Sequence, residues 1–99
     1  MSNELYGLKQ GVLKSIIDTG IACNIEKIIL FGSRARGDYK ERSDIDVAVY
    51  GGDVVNFSID VEEDVPTLLK FDVVDMNKPV QKELVCSIEN EGVIIYEKI

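Results

Sequence analysis

The 99-residue sequence predicts an α/β domain in which a small β-sheet has helices packed against it. Three observations carry this expectation. Short runs rich in β-branched and apolar residues recur at KIILF (27–31), DIDVAVY (44–50), LLKFDVVDM (68–76) and VIIY (93–96), as strands do. Between them lie stretches whose apolar residues fall three and four apart, the spacing of one helix face. No repeat, low-complexity tract or linker-like stretch divides the chain, so residues 1–99 are expected to form a single domain.

Taken in order, Leu5, Leu8, Val12, Leu13, Ile16 and Ile17 predict a helix from Leu5 to Asp18, with Gly20 available to end it in a left-handed turn. KIILF then reads as a buried strand. The polar segment from Gly32 to Ser43 is a loop with room for one helical turn. DIDVAVY begins with alternating carboxylates that share one face and then turns apolar. Phe57, Val61 and Val65 repeat every four residues, which favours a helix with Asp60, Glu62, Glu63 and Asp64 towards solvent and its end at Pro66. The third strand covers Leu68 to Met76. Asn77 and Pro79 suggest a helix start, with Val80, Leu84, Val85 and Ile88 on one face up to Gly92, before a last strand from Val93.

Composition removes several chemistries. There is no His, which excludes His-based acid/base catalysis, Ser-His-Asp hydrolysis and His-ligated zinc. Carboxylates, hydroxyls and Arg are left to do the work. Cys23 and Cys86 form no CxxC pair and no disulfide framework, which fits a reducing cytosol, and both are expected in the core. No basic segment followed by an apolar stretch opens the chain and no apolar run approaches a membrane span, so a soluble, cytoplasmic protein is expected. Eleven Lys and Arg against 18 Asp and Glu leave a net charge of −7. That balance disfavours long nucleic acid as a ligand and makes divalent cations natural companions.

The segment GSRARGDYKERSDID, from Gly32 to Asp46, holds the chemistry. Gly32 permits close backbone approach to a ligand, Ser33 adds a hydroxyl donor, and successive N–H groups there can form an anion-binding nest. Asp44 and Asp46 are two residues apart on a strand, so their Cα atoms are roughly 6 to 7 Å apart with side chains on one face. Such carboxylates plus a phosphate chain suit magnesium, and paired metals about 4 Å apart can stabilise both attacking and leaving oxygens of an in-line phosphoryl displacement. Each part alone has a plainer explanation: a turn for Gly32-Ser33, a solvated face for Asp44 and Asp46.

Together, Gly32-Ser33, ten intervening residues and Asp44-Ile45-Asp46 match the GS-x10-DxD signature of the polymerase beta-like nucleotidyltransferase superfamily. The GSRARG spelling and the EGVIIY segment at Glu91 to Tyr96 resemble its minimal nucleotidyltransferase branch, which includes MntA-like antitoxins and the catalytic subunits of two-component nucleotidyltransferases. The resemblance implies the nucleotidyltransferase fold, an α+β arrangement with a small mixed sheet. It also implies a reaction: attack on the α-phosphorus of a nucleoside triphosphate such as ATP, transfer of the nucleoside monophosphate to a hydroxyl, and departure of pyrophosphate. By that analogy Gly32 and Ser33 hold the β and γ phosphates, and Asp44 and Asp46 bind magnesium, as two ions. A third carboxylate completes the catalytic and metal set.

Asp72 and Asp75 compete for the third place. Three apart on a strand, they face opposite sides and cannot both serve; the family pattern selects Asp72. Arg34 and Arg36 are further candidates for nucleotide binding through bidentate phosphate contacts, against internal ion pairs with Asp38, Glu41 or Asp44, or plain solvation. Tyr39 and Tyr96 suit packing at the core edge. Larger nucleotidyltransferases add a helical domain that holds base or acceptor, and none follows Ile99, so the chain reads as a catalytic core whose acceptor site lies elsewhere. The resemblance implies a small all-helical partner, of HEPN or nucleotidyltransferase substrate-binding type, and in the toxin-antitoxin version an antitoxin that adenylylates a tyrosine of a HEPN ribonuclease. Transfer to a small-molecule hydroxyl, and a non-catalytic binding antitoxin, are the alternatives.

Overall fold

The computed structural model describes residues 4–99. A hairpin of β1 (Glu4–Leu5) and β2 (Leu8–Lys9) leads into α1 (Gln10–Ala22), β3 (Lys27–Phe31) and the one-turn α2 (Ser33–Arg36). Then come β4 (Ile45–Tyr50), α3 (Val54–Asp64), β5 (Phe71–Asp75), α4 (Lys82–Glu91) and β6 (Val93–Glu97). The main sheet has the order β5-β4-β3-β6; β3 is antiparallel to both β4 and β6, while β4 and β5 are parallel. A mixed sheet with helices against it is therefore the architecture.

The central strands are buried on both faces, which explains why KIILF and VAV read as continuous apolar runs. Alternation sorts their side chains. Ile28, Leu30, Ile45, Val47 and Val49 join Val12, Ile16, Phe57 and Val61 of α1 and α3 in the larger core. Ile29, Phe31 and Ala48 point the other way, onto Ile88 of α4. Phe57 and Val61, both fully buried, are side chains whose removal from water contributes roughly 1.5–3 kcal/mol each. Their four-residue spacing fits α3 as a helix with Glu62, Glu63 and Asp64 outside, whereas Asp60, expected towards solvent, is half-buried and accepts from the Cys23 thiol at the end of α1. Asp53 caps it, its side chain accepting from the Asn56 N–H at 3.1 Å, and Val65 takes extended backbone before Pro66.

Three further expectations are corrected. The first helix starts at Gln10 and not at Leu5, because Tyr6 and Gly7, at φ 58° and 71°, make the tight turn of the β1–β2 hairpin. Leu8 is buried and keeps the helical count, but Leu5 is left exposed. At its other end α1 runs past Gly20 to Ala22, and the left-handed position falls to Asn24; Gly20 is buried, and a Cβ there would sit 2.7 Å from Ile28 Cδ1. The last helix begins at Lys82 and not near Asn77. Asn77 instead ties two turns together, its N–H donating to Asp75 Oδ1 and its Oδ1 accepting from the Gly51 N–H at 2.8 Å.

The third correction concerns the thiols. Cys23 is buried at the end of α1, but Cys86 is exposed on α4. Burial first, then the Asp60 carboxylate to which the thiol donates, pushes the Cys23 thiol up from its ordinary pKa. In native protein at neutral pH a thiol reagent is therefore expected to modify one cysteine quickly, and the second only in denaturant. A Cys86→Ser protein that still reacted quickly would contradict this placement. Among the described residues no helix is long and apolar enough to cross a membrane.

Candidate active site

The β3–β4 ladder ends at the pair Phe31↔Asp46, and β4 and β5 are aligned so that Asp46 lies beside Asp72. Gly32 follows Phe31 directly. Gly32, Asp46 and Asp72 thus form a row across the end of three adjacent strands, on the α4 side of the sheet. Parallel neighbours in register point to the same face, so the two carboxylates share it. Asp75 aligns with Val49, on the other face, and is engaged by Asn77.

Gly32 has φ 75° and ψ −156°, a region open essentially to glycine alone. A Cβ there would also collide with Asp46 Oδ2. The two facts require glycine where the backbone passes the carboxylate. Gly32→Ala is expected to lower stability by at least about 2 kcal/mol through backbone strain alone. It should also displace Asp46, and a thermal melt of Gly32→Ala coinciding with that of the wild type would contradict this geometry.

Asp46 is half-buried, and its pKa is pushed up to about 6 by burial first and then by the charges of Asp72 and Asp44, with Arg36 and Arg34 partly opposing. Asp44 lies just before β4 and is exposed. Among the described residues no group of three Cys, His, Asp or Glu side chains forms a ready-made metal cage. The donor set is a half-site of hard oxygens that repel one another. Magnesium fits it, because that ion takes one or two carboxylates and completes its shell with phosphate oxygens and water.

The two arginines separate. Arg36 is exposed, donates to Glu91 Oε2 at 3.1 Å and Asp38 Oδ2 at 3.3 Å, and those bonds, Glu91 foremost, raise its pKa. Such surface pairs exchange easily for another anion. Arg34 departs from the phosphate-contacting expectation. It is only 1% exposed, and its guanidinium donates to the carbonyls of Tyr6, Glu41 and Ser43. A planar fork already engaged by three carbonyls is not available to a polyphosphate. Sequence reasoning weighed internal ion pairs for these arginines and missed both the carbonyl partners of Arg34, which no side-chain pattern marks, and Glu91, which is 55 positions from Arg36. Tyr39 stacks its ring over Arg34 at 5.1 Å, and Tyr96 packs on the larger core.

Asp44 also borders an open groove of about 1020 Å³ between Leu8 and Val12 on one side and Leu68, Leu69 and Lys70 on the other. Leu68 is fully exposed.

The sequence matches the polymerase beta nucleotidyltransferase domain over residues 13–99, a span that includes Gly32, Asp46 and Asp72. The chain belongs to that nucleotidyltransferase family. It is 49% identical over 59 residues to the candidate protein adenylyltransferase MJ0604 of Methanocaldococcus jannaschii, an alignment covering 60% of this chain and 56% of that one. The chain therefore spans little more than half the length of that relative. A second candidate protein adenylyltransferase of the same organism, MJ0141, is 30% identical over 98 residues, covering 81% of this chain and 88% of the other. The fold resembles a crystal structure of a toxin-antitoxin with AMP-PNP (TM-score 0.71, 21% identity) and one of a mutant toxin-antitoxin MntA-HpeT (TM-score 0.70, 19% identity). Each superposition covers 87% of this chain and 73% of the other.

Proposed function

We propose that the chain transfers AMP from ATP, with magnesium, to a hydroxyl on a small all-helical partner protein, acting as the antitoxin of a HEPN toxin in a reducing cytoplasm. The observation that carries this reading is the alignment of Gly32, Asp46 and Asp72 on three neighbouring strands. It supplies a close backbone approach for phosphates next to paired carboxylates. The names of the two Methanocaldococcus relatives, and the nucleotide and partner in the toxin-antitoxin structures, support the choice of nucleotide and acceptor.

In this reading the β and γ phosphates lie against the Gly32 backbone and the Ser33 hydroxyl, with Arg36 as the exposed cation beside them. Asp44 and Asp46 hold magnesium, and Asp72 completes the set. The metal, when bound, supplies charge neutralisation at the α-phosphate and its leaving oxygen. Asp72, exposed on the edge strand, accepts the proton of the attacking hydroxyl. The acceptor oxygen bonds to the α-phosphorus, the bond to the β-phosphate oxygen breaks, and pyrophosphate leaves. Of the three carboxylates Asp44 alone borders the groove, which places a docked partner beside one edge of the site. The groove's exposed Leu68 is an apolar anchor suited to a protein surface more than to a small polar alcohol.

Incubation with ATP labelled at the α-phosphate, magnesium and a small all-helical HEPN protein as candidate partner is expected to label that protein. Label that appears only on an added small-molecule alcohol would move the acceptor to the small-molecule class. Neutralisation of the partner without any label, unaffected by loss of Asp44 and Asp46, would replace catalysis with simple binding.

A further inference from the structure

The β3–β4 ladder stops at Phe31↔Asp46, so Gly32 and Ser33 on one strand and Asp44 on the other lie beyond its last pair. Nothing in the sheet fixes their separation. Resting on the proposed transfer reaction, we propose that Arg34 is a positioning residue that takes over from the ladder and sets the phosphate-approach segment against the carboxylates.

Arg34 follows Ser33, and its principal acceptor, the carbonyl of Ser43, precedes Asp44. Nε and Nη2 both donate to that one oxygen, at 3.1 and 2.9 Å. Nη2 also reaches Glu41 O at 3.2 Å, and Nη1 reaches Tyr6 O at 3.1 Å. The guanidinium is thus a crossbar between the two flanks of the site, with a third strut to the N-terminal hairpin. The intervening residues Gly37 to Arg42 are exposed, and their internal bonds, Lys40 N–H to Ser43 Oγ and Ser43 N–H to Lys40 O, close only a turn. At its start the Gly37 N–H donates to Ser33 O at 2.9 Å, and among the described residues no backbone bond joins residues 38–42 to β3 or α2. No carboxylate pairs with Arg34 within 4.0 Å among the described residues. Its partners are carbonyls in a fork that an ammonium cannot match, since Lys has no planar pair of donors to share one oxygen while reaching two others.

Displacement of reacting groups by about 1 Å costs on the order of a hundredfold in rate. Arg34→Lys, assayed at a temperature where its melt shows it fully folded, is expected to lower kcat roughly a hundredfold while KM for magnesium-ATP changes less than about threefold. Amide hydrogen exchange of residues 37–44 should accelerate in the same protein without nucleotide, while the β3 and β4 amides stay protected. Tyr39→Leu, which removes the aromatic cover and leaves the donors, gives a milder version of both effects should Arg34→Lys not fold. Wild-type kcat in Arg34→Lys, or unchanged exchange in residues 37–44, would overturn the proposal. The exchange experiment needs no turnover, so absence of transfer by the wild-type protein would count against the reaction alone.

Discussion

Asp46→Asn is expected to abolish nucleotidyl transfer, by about a thousandfold or more, and at the same time to raise the stability of the metal-free protein. The two effects share one cause. The Asp46 carboxyl is pushed up to about 6 by burial and by Asp72 and Asp44, whereas an unfolded chain titrates it near 3.9. Between those values the folded state binds more protons than the unfolded state, so stability falls as pH rises through that window. Above about pH 6 the full cost of an ionised Asp46 is present. Partial exposure of the group moderates it to about 1–3 kcal/mol. Asn carries no charge and keeps the shape. At pH 7.5 without divalent cations it should melt higher by several degrees, and below about pH 4 the difference should close. A less stable Asp46→Asn protein at pH 7.5 would show that the carboxylate is compensated within the chain and is not waiting for a cation.

The largest stability loss is expected at Arg34. Its guanidinium is buried and serves the carbonyls of Tyr6, Glu41 and Ser43 at 2.9–3.2 Å. Arg34→Met keeps length and apolar packing but leaves those acceptors without donors. Each buried orphan costs about 1–3 kcal/mol, and water reaching the exposed loop offsets part of the sum, so about 3 kcal/mol is expected overall. For a small domain this is a large share of total stability. Urea denaturation should show a clearly lower midpoint, while Arg36→Met, whose guanidinium lies in solvent with Asp38 and Glu91, should leave the midpoint nearly unchanged. Equal midpoints for the two variants would mean that the Arg34 bonds are replaceable by water.

The strands and α3 were legible because burial on both faces writes itself as apolar runs, and because Phe57 and Val61 keep a four-residue spacing. Strand parity sets Asp72 and Asp75 on opposite faces, but the choice of Asp72 rests on the resemblance to the nucleotidyltransferase family that the spacing of Gly32-Ser33 and the Asp44/Asp46 pair carries. What sequence pattern did not carry were contacts between residues far apart in the chain. Arg34 meets Tyr6 across 28 positions, and no local pattern marks an arginine that will be buried. The hairpin was hidden because Leu5 and Leu8 keep helical spacing by coincidence, while the Tyr6-Gly7 turn is short. Asn77 is a good cap residue in isolation; its partner, the Gly51 N–H, becomes adjacent only when β4 and β5 pair. Cys86 was expected inside from its residue type, yet it falls on the outer side of a helix whose buried residue is Ile88.

The central claim is that Asp46 and Asp72, and not Asp75, complete a magnesium-dependent nucleotide site beside Gly32. Calorimetric titration of AMP-PNP at pH 7.5, with and without magnesium, into the wild-type protein and its Asp46→Asn, Asp72→Asn and Asp75→Asn variants tests it most directly. Binding should require magnesium, fall at least about tenfold in Asp46→Asn and in Asp72→Asn, and persist in Asp75→Asn. Magnesium-independent binding that survives in Asp46→Asn, or a loss confined to Asp75→Asn, would contradict the account.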